Sequence, residues 1–231
     1  VSGASKGEGL GNQFLSHIRE VDAILHMVRF FEDADITHVH GEVDPVKDIE
    51  VINLELSLSD LEQVKKRRER LQKDMRAQNK DAVLEDEVLA KVEKVLEAGK
   101  AARHAGLTAD EEARIQSQNL LSLKPMLYSF NRKGETPLAA DKVKAAEDYV
   151  RADQADFVYI DAHTEHDLST LTEDDKTSFR SELGLTVDGI DSLIQGAYAT
   201  LGLITFFTTG EKESRAWTVT RGGLAPDAGA A

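Results

Sequence analysis

Two strand-length apolar runs, Ala23-Ile24-Leu25-His26-Met27-Val28 and Pro125-Met126-Leu127-Tyr128-Ser129-Phe130-Asn131, stand on either side of a long stretch dominated by helical periodicity. Runs this apolar and this short read as strands covered on both faces, which is the habit of parallel sheets. Parallel neighbours cannot be joined by a tight turn, so the chain between them has to leave the sheet and come back. Asp44-Pro45 is a good helix start, because a carboxylate can accept from orphan amides and proline costs nothing in the first turn. Ile49, Ile52, Leu56, Leu61, Val64 and Leu71 then recur mainly at spacings of three, four or seven, with the cationic run from Lys65 to Arg70 expected in solvent. A polar break from Gln78 to Asp81 leads into Val83, Leu84, Val88, Val92 and Val95, a second stripe that ends near Gly99. Two helices joined this way should pair antiparallel, and their narrow stripes and charged flanks suit a helical arm. Thr108 with Glu111 matches a capping box, and Ile115, Leu120 and Leu121 are expected to continue that helix as the arm returns.

The flanking segments repeat the alternation of helix and strand. Gly3, Gly7, Gly9 and Gly11 make the opening too flexible for a regular element, and Asn12 is expected to cap a helix carrying Phe14, Leu15, Ile18 and Val21. Asn131 closes the second apolar run, at the carboxyl end of a strand where open α/β sheets gather ligands. A helix from about Asp141 to Arg151 precedes a further strand, Phe157 to Ala162, that ends in His163. Helices are expected from Thr172 to Leu183 and from Val187 to Thr200. Leu203 to Thr208 and Ser214 to Val219 then read as a β-hairpin about Gly210-Glu211-Lys212-Glu213. A lone hairpin is marginal in water, and the chain begins at Val1 inside a glycine-rich loop, so a larger protein truncated at both ends is expected.

Composition narrows the setting. With 42 acidic residues against 28 Lys and Arg, the formal charge is −14, which excludes a uniformly basic surface and leaves only local contacts with RNA. Zero cysteines remove disulfide and thiolate chemistry and fit a reducing compartment, so a cytoplasmic location is expected. No apolar run reaches the ~20 residues that a membrane span requires, so no membrane partner is expected.

Three stretches, in order, resemble the YchF family of Obg-like ATPases, within the TRAFAC class of P-loop GTPases. The first is Gly3-Ala4-Ser5-Lys6-Gly7-Glu8-Gly9-Leu10-Gly11-Asn12 with Ile18-Arg19-Glu20-Val21-Asp22-Ala23. The second is His38-Val39, Val43-Asp44-Pro45 and Asp48-Ile49-Glu50-Val51-Ile52-Asn53. The third runs from Leu201 to Glu213 and continues with Arg215-Ala216-Trp217-Thr218. The resemblance implies an α/β fold: a partial P-loop G domain with a mostly parallel sheet, an inserted antiparallel helical arm and the start of a β-rich TGS domain. Residues 1–56 and 123–201 would form the G domain, 57–122 the arm and 202–231 the incomplete TGS domain.

The resemblance also implies hydrolysis of ATP, and of GTP less well, with Mg²⁺, on the ribosome or its rRNA through local contacts of the arm and TGS portion. Gly3, Ser5, Gly7, Gly9 and Gly11 match the family's switch loop. Asn131, Arg132 and Glu135 stand where the family reads the base through Asn-x-x-Glu, with the acid one position late, and Asp161-Ala162 stands where it has Ser-Ala. No Gly-x-x-x-x-Gly-Lys-Ser/Thr occurs, so these residues alone are expected to be inactive, with nucleotide and Mg²⁺ bound only alongside a missing N-terminal part. The alternative is a non-catalytic relative that binds a ribosome or a protein through a degenerate nucleotide site.

The other candidates have plainer explanations. His26 in an apolar strand suits a hydrogen-bonded core residue. His163 and His166 beside Glu165, expected in a loop, are too weak a pattern to assign a metal. The Lys65–Arg70 run is either an rRNA contact or a solvated face, and Phe206 and Trp217 suit hairpin packing more than base stacking.

Overall fold

The computed structural model describes residues 11–33, 35–36, 41–134, 137–182, 189–211, 213–224 and 226. It divides into two compact units, Val1–Asp22 with Lys47–Lys124, and Ala23–Val46 with Pro125–Ala231.

The second unit is built on a sheet of three parallel strands in the order β1-β2-β3, comprising Ile24–Arg29, Met126–Asn131 and Asp156–Ile160. Ile24 pairs with Met126 and Arg29 with Asn131, while Asn131 also pairs with Ile160, so Arg29, Asn131 and Ile160 end the three strands level. β2 is central and buried from Met126 through Phe130, as its unbroken apolar run requires. Phe130 stacks on Phe30 at 4.0 Å and on Phe157 at 4.9 Å between ring centroids. Helix α5 (Ala140–Ala152) connects β2 to β3 and buries Ala146 and Val150. Helix α6 (Ala162–Ser169) follows β3, then α7 (Glu173–Glu182) and α8 (Gly189–Thr200). α8 approaches the other face of the sheet so closely that a Cβ on Gly196 would lie 3.1 Å from the side chains of Leu127 and Val158. β1 departs from expectation: Val28 is buried, but Leu25 and Met27 are 47% and 51% exposed. It is an outer strand of the three, and α8 lies on β2 and β3.

β4 (Leu203–Thr209) and β5 (Ser214–Thr220) form the expected antiparallel hairpin, with Phe206 opposite Trp217. Trp217, half-buried, donates its indole N–H to Thr208 Oγ1 at 2.8 Å.

The first unit is helical. α1 is Gly11–Arg19, so Gly11 opens the helix and Asn12 lies inside it instead of capping it. α2 (Pro45–Arg76) and α3 (Lys80–Glu97) flank a turn in which Gln78 has φ +60° and Asn79 Oδ1 accepts from Asp81 N and Ala82 N. Gly99, with φ +73°, ends the second of them as its position predicts. Val64 and Leu71 pack with Val88, Leu89, Val92 and Leu96. The Thr108–Glu111 capping box is present at the start of α4 (Ala109–Ile115). That helix stops at Ile115, where the chain tightens into a 3₁₀ turn, and Asn119, left-handed at φ +46°, separates that turn from the next, so Leu120 and Leu121 lie outside the helix.

Candidate functional site

The carboxyl ends of β2 and β3 bring four of the expected base-site residues together. Asn131 Oδ1 accepts from Ala162 N at 3.0 Å, tying the end of one strand to the segment after the next. Asp161 caps α6: its Oδ1 accepts from His163 N at 3.1 Å and Thr164 N at 3.0 Å, and its Oδ2 accepts from Gly134 N at 3.2 Å. The Asp161 charge is therefore met by three amides and the positive end of a helix, not left bare at the loop surface. Ala162 lies in α6 rather than in the strand, since this cap starts the helix directly after Ile160. Asn131 keeps its Nδ2 hydrogens available as donors once its oxygen is bound.

Arg132 lays its guanidinium over the Tyr159 ring, 3.3 Å from the centroid. Tyr159 donates its hydroxyl to Glu147 of α5. Burial and that carboxylate push the Tyr159 phenol up to about 12, and the Tyr159 hydroxyl holds the Glu147 carboxyl below its usual value. Next in the chain, Lys133 pairs with Asp33 at 2.6 Å, and this bond holds the Asp33 carboxyl low. Phe30, Arg132, Lys133, Leu138 and Glu147 line part of a cavity of about 530 Å³ at this end of the sheet. Tyr159 and Glu147 were not singled out from the sequence. The available signal was an aromatic residue two positions before Asp161 on the same strand.

Glu135, Gly3, Ser5, Gly7 and Gly9 lie outside the described residues. His163 and His166 are on α6 and not in a loop. Glu165 beside them is buried and committed elsewhere: Oε1 accepts from Gly189 N at 2.8 Å, and Oε2 lies 3.5 Å from Arg180. His26, half-buried on β1, packs against Tyr128 with ring centroids 5.4 Å apart. Among the described residues no three or more carboxylate or imidazole side chains converge as a metal site. Nor is any described helix long and apolar enough to cross a membrane.

The cationic run on α2 is not the uniformly solvated face expected. Arg67 makes a two-pronged bond to Glu85, with both distances 2.7 Å, and Arg68 bonds both oxygens of Asp86 and also Glu93. Lys65 pairs with Glu97 at 2.7 Å. These three cations face α3 because its acids repeat opposite them, whereas Lys66 pairs along its own helix with Glu62. A second network involves Asp60, fully buried, which accepts from Leu121 N at 2.9 Å, from Ser122 N and Oγ at 2.7 Å, and from Arg19 at 3.2 Å. Burial pushes its carboxyl up, against the pull of these donors.

Compared with protein-family models, the sequence matches none. It is 45% identical to the "Ribosome-binding ATPase YchF" of Bacillus subtilis over 98% of this chain, and 43% identical to that of Haemophilus influenzae over 100% of it. The structure of the Schizosaccharomyces pombe YchF GTPase superposes with a TM-score of 0.81 at 33% identity, over 99% of this chain. In each comparison the chain spans 63% of the relative's length.

Proposed function

The chain belongs to the YchF family of Obg-like ATPases, with the α/β fold of a P-loop G domain carrying a helical arm, and on that premise we propose that it works within a ribosome-associated, cytoplasmic ATPase. The observation that carries the reading is the join between β2 and β3, where Asn131 and Asp161 fix two loops against one another at the carboxyl ends of the strands. Residues 1–56 and 123–201 make the nucleotide-binding domain, 57–122 the arm, and 202–231 begin the TGS domain.

The join fits the base end of a nucleotide. Asn131 Nδ2 donates to a ring acceptor, and Arg132, held flat on Tyr159, gives the base a planar neighbour. Asp161 and Ala162 hold the second loop, and Glu135, outside the described residues, is the acid that this reading assigns to the base. Asp161 does not present a bare charge to a base, because three amides already donate to its oxygens. Gly3, Ser5, Gly7 and Gly9, outside the described residues, are read as a switch loop that answers to the terminal phosphate, with Gly11 opening the helix that follows. Mg²⁺ and the phosphates need a glycine-rich loop with Lys and a Ser/Thr hydroxyl, which these residues do not contain. In the full-length protein the ion would neutralise charge on the phosphates during attack by water, and the chain's own contribution is to hold the base and register the phosphate. ATP is the expected substrate and GTP the weaker one.

Asn131→Asp tests the site cleanly, since it keeps the oxygen that bonds Ala162 N and removes the amide donor. In the full-length protein, binding of a fluorescent ATP analogue should weaken about tenfold, the scale of one buried hydrogen bond. Unchanged affinity would show that Asn131 does not meet the base.

A further inference from the structure

The backbone ladder at the carboxyl end of the sheet reaches Arg132, with Phe30 N donating to Asn131 O and Arg132 N to Ile160 O, both at 2.8 Å. Past that point side chains hold the base loop. Gly134 N donates to Asp161 Oδ2 at 3.2 Å on the β3 side, and Lys133 Nζ donates to Asp33 Oδ2 at 2.6 Å on the β1 side. Asp33 is itself caged. Its Oδ1 accepts from Asp35 N at 2.9 Å, and its carbonyl accepts from Arg29, whose guanidinium also donates to Phe31 O and Ile36 O and lies 4.8 Å over the Phe31 ring. Arg29 ends β1 level with Asn131, so this cage stands on the sheet. The Asp33 side chain is only 13% exposed, and Phe31 pairs with Pro137 just beyond the loop.

We infer that Asp33 is a positioning residue for the nucleotide: by gripping Lys133 it sets the loop that carries Arg132 and, next in sequence after Gly134, Glu135. The inference deepens the base-site reading and rests on it. An ordinary surface ion pair contributes little, because two flexible side chains must both be fixed to form it. Here the carboxylate is fixed beforehand by the Asp35 amide and by Arg29 on its backbone, so the ordering falls on Lys133 alone. A loop ordered before the ligand arrives spares the ligand that cost, and losing the grip transfers the cost to binding. The same connection between β1 and α2 supplies an internal control. At its far end Glu42 and Val43 O are gripped by Lys142, which stands on α5 and not on the base loop.

The test measures binding and dissociation of a fluorescent ATP analogue by stopped flow on the full-length protein, with ATP turnover and urea unfolding of each variant alongside. Asp33→Asn and Lys133→Met should each weaken affinity about fivefold, the scale of one partly exposed charge-assisted bond, through faster dissociation. Turnover should show the loss in KM and not in kcat. The double variant should lose no more than either single one, and Lys142→Met should leave affinity unchanged. Additive losses in the double variant would mean that Lys133 meets the nucleotide by itself, and would overturn the inference. So would a loss from Lys142→Met equal to that from Asp33→Asn, or an affinity that falls only in step with the urea midpoint. If Asn131→Asp leaves affinity unchanged, the base-site reading fails and the inference with it, whereas a loss there with none in Asp33→Asn overturns the inference alone.

Discussion

The two units are held together by opposite means. In the sheet unit, Phe30, Phe130 and Phe157 stack through the centre of three parallel strands, and polar contacts gather at the strand ends. In the helical unit the apolar seam is narrow, and carboxylates and guanidinium groups bridge α2 to α3 beside it, while Asp60 is buried in a second polar network of its own. Aromatic burial is neither screened by salt nor titrated by pH, whereas ion pairs are subject to both. The sheet unit therefore offers a constant frame for a ligand, and the helical unit a surface whose strength follows its ionic surroundings.

The contrast can be broken most severely at its two most buried points. Phe130→Ala empties the centre of the stack and should cost about 4 kcal/mol, while Asp60→Ala leaves the buried Leu121 and Ser122 amides without their acceptor and should cost about 3 kcal/mol. Urea denaturation followed by tryptophan fluorescence and far-ultraviolet circular dichroism measures both. A smaller effect sharpens the difference. Arg68→Met should destabilise by about 1 kcal/mol or less at low ionic strength, because its side chain is partly exposed, and the loss should shrink in about 1 M salt, where the Phe130 effect persists. The smallest effect belongs to Tyr159. Its folded-state pKa is raised to about 12, so the neutral phenol is favoured by the fold. Its contribution is whole below the unfolded value of 10.0 and is lost as pH rises through about 12. In an ultraviolet tyrosinate titration Glu147→Gln should move a late-ionising tyrosine earlier.

The elements legible in the sequence were those whose signal is local. The apolar run of β2, Asp44-Pro45 at the start of α2, the Thr108–Glu111 box and the hairpin about Gly210 each declare themselves within a few residues. What was hidden depends on how separate elements meet. Nothing in Lys65–Arg70 tells which cations face α3, because that is set by the rotation of one helix against another. In the sequence Asp161 is only a departure from Ser-Ala, and its work as the cap of α6 and acceptor for Gly134 N depends on how two loops meet. Arg132 on Tyr159 joins residues of different segments, and no spacing rule links them. Asn131 was found because it ends a strand, yet its bond to Ala162 N could not be read from its position.

β1 and β2 pair in full register although residues 30–125 lie between them in the chain. Closing a gap of that length costs more chain entropy than any helical turn, so this pairing should form late. The α2–α3 hairpin has mostly local contacts and can form on its own, far sooner. Once it has formed, fewer disordered residues remain when the strands meet. The arm then acts during folding as a built-in shortcut for the sheet, and a lesion in its seam should delay strand pairing even where the finished sheet is untouched.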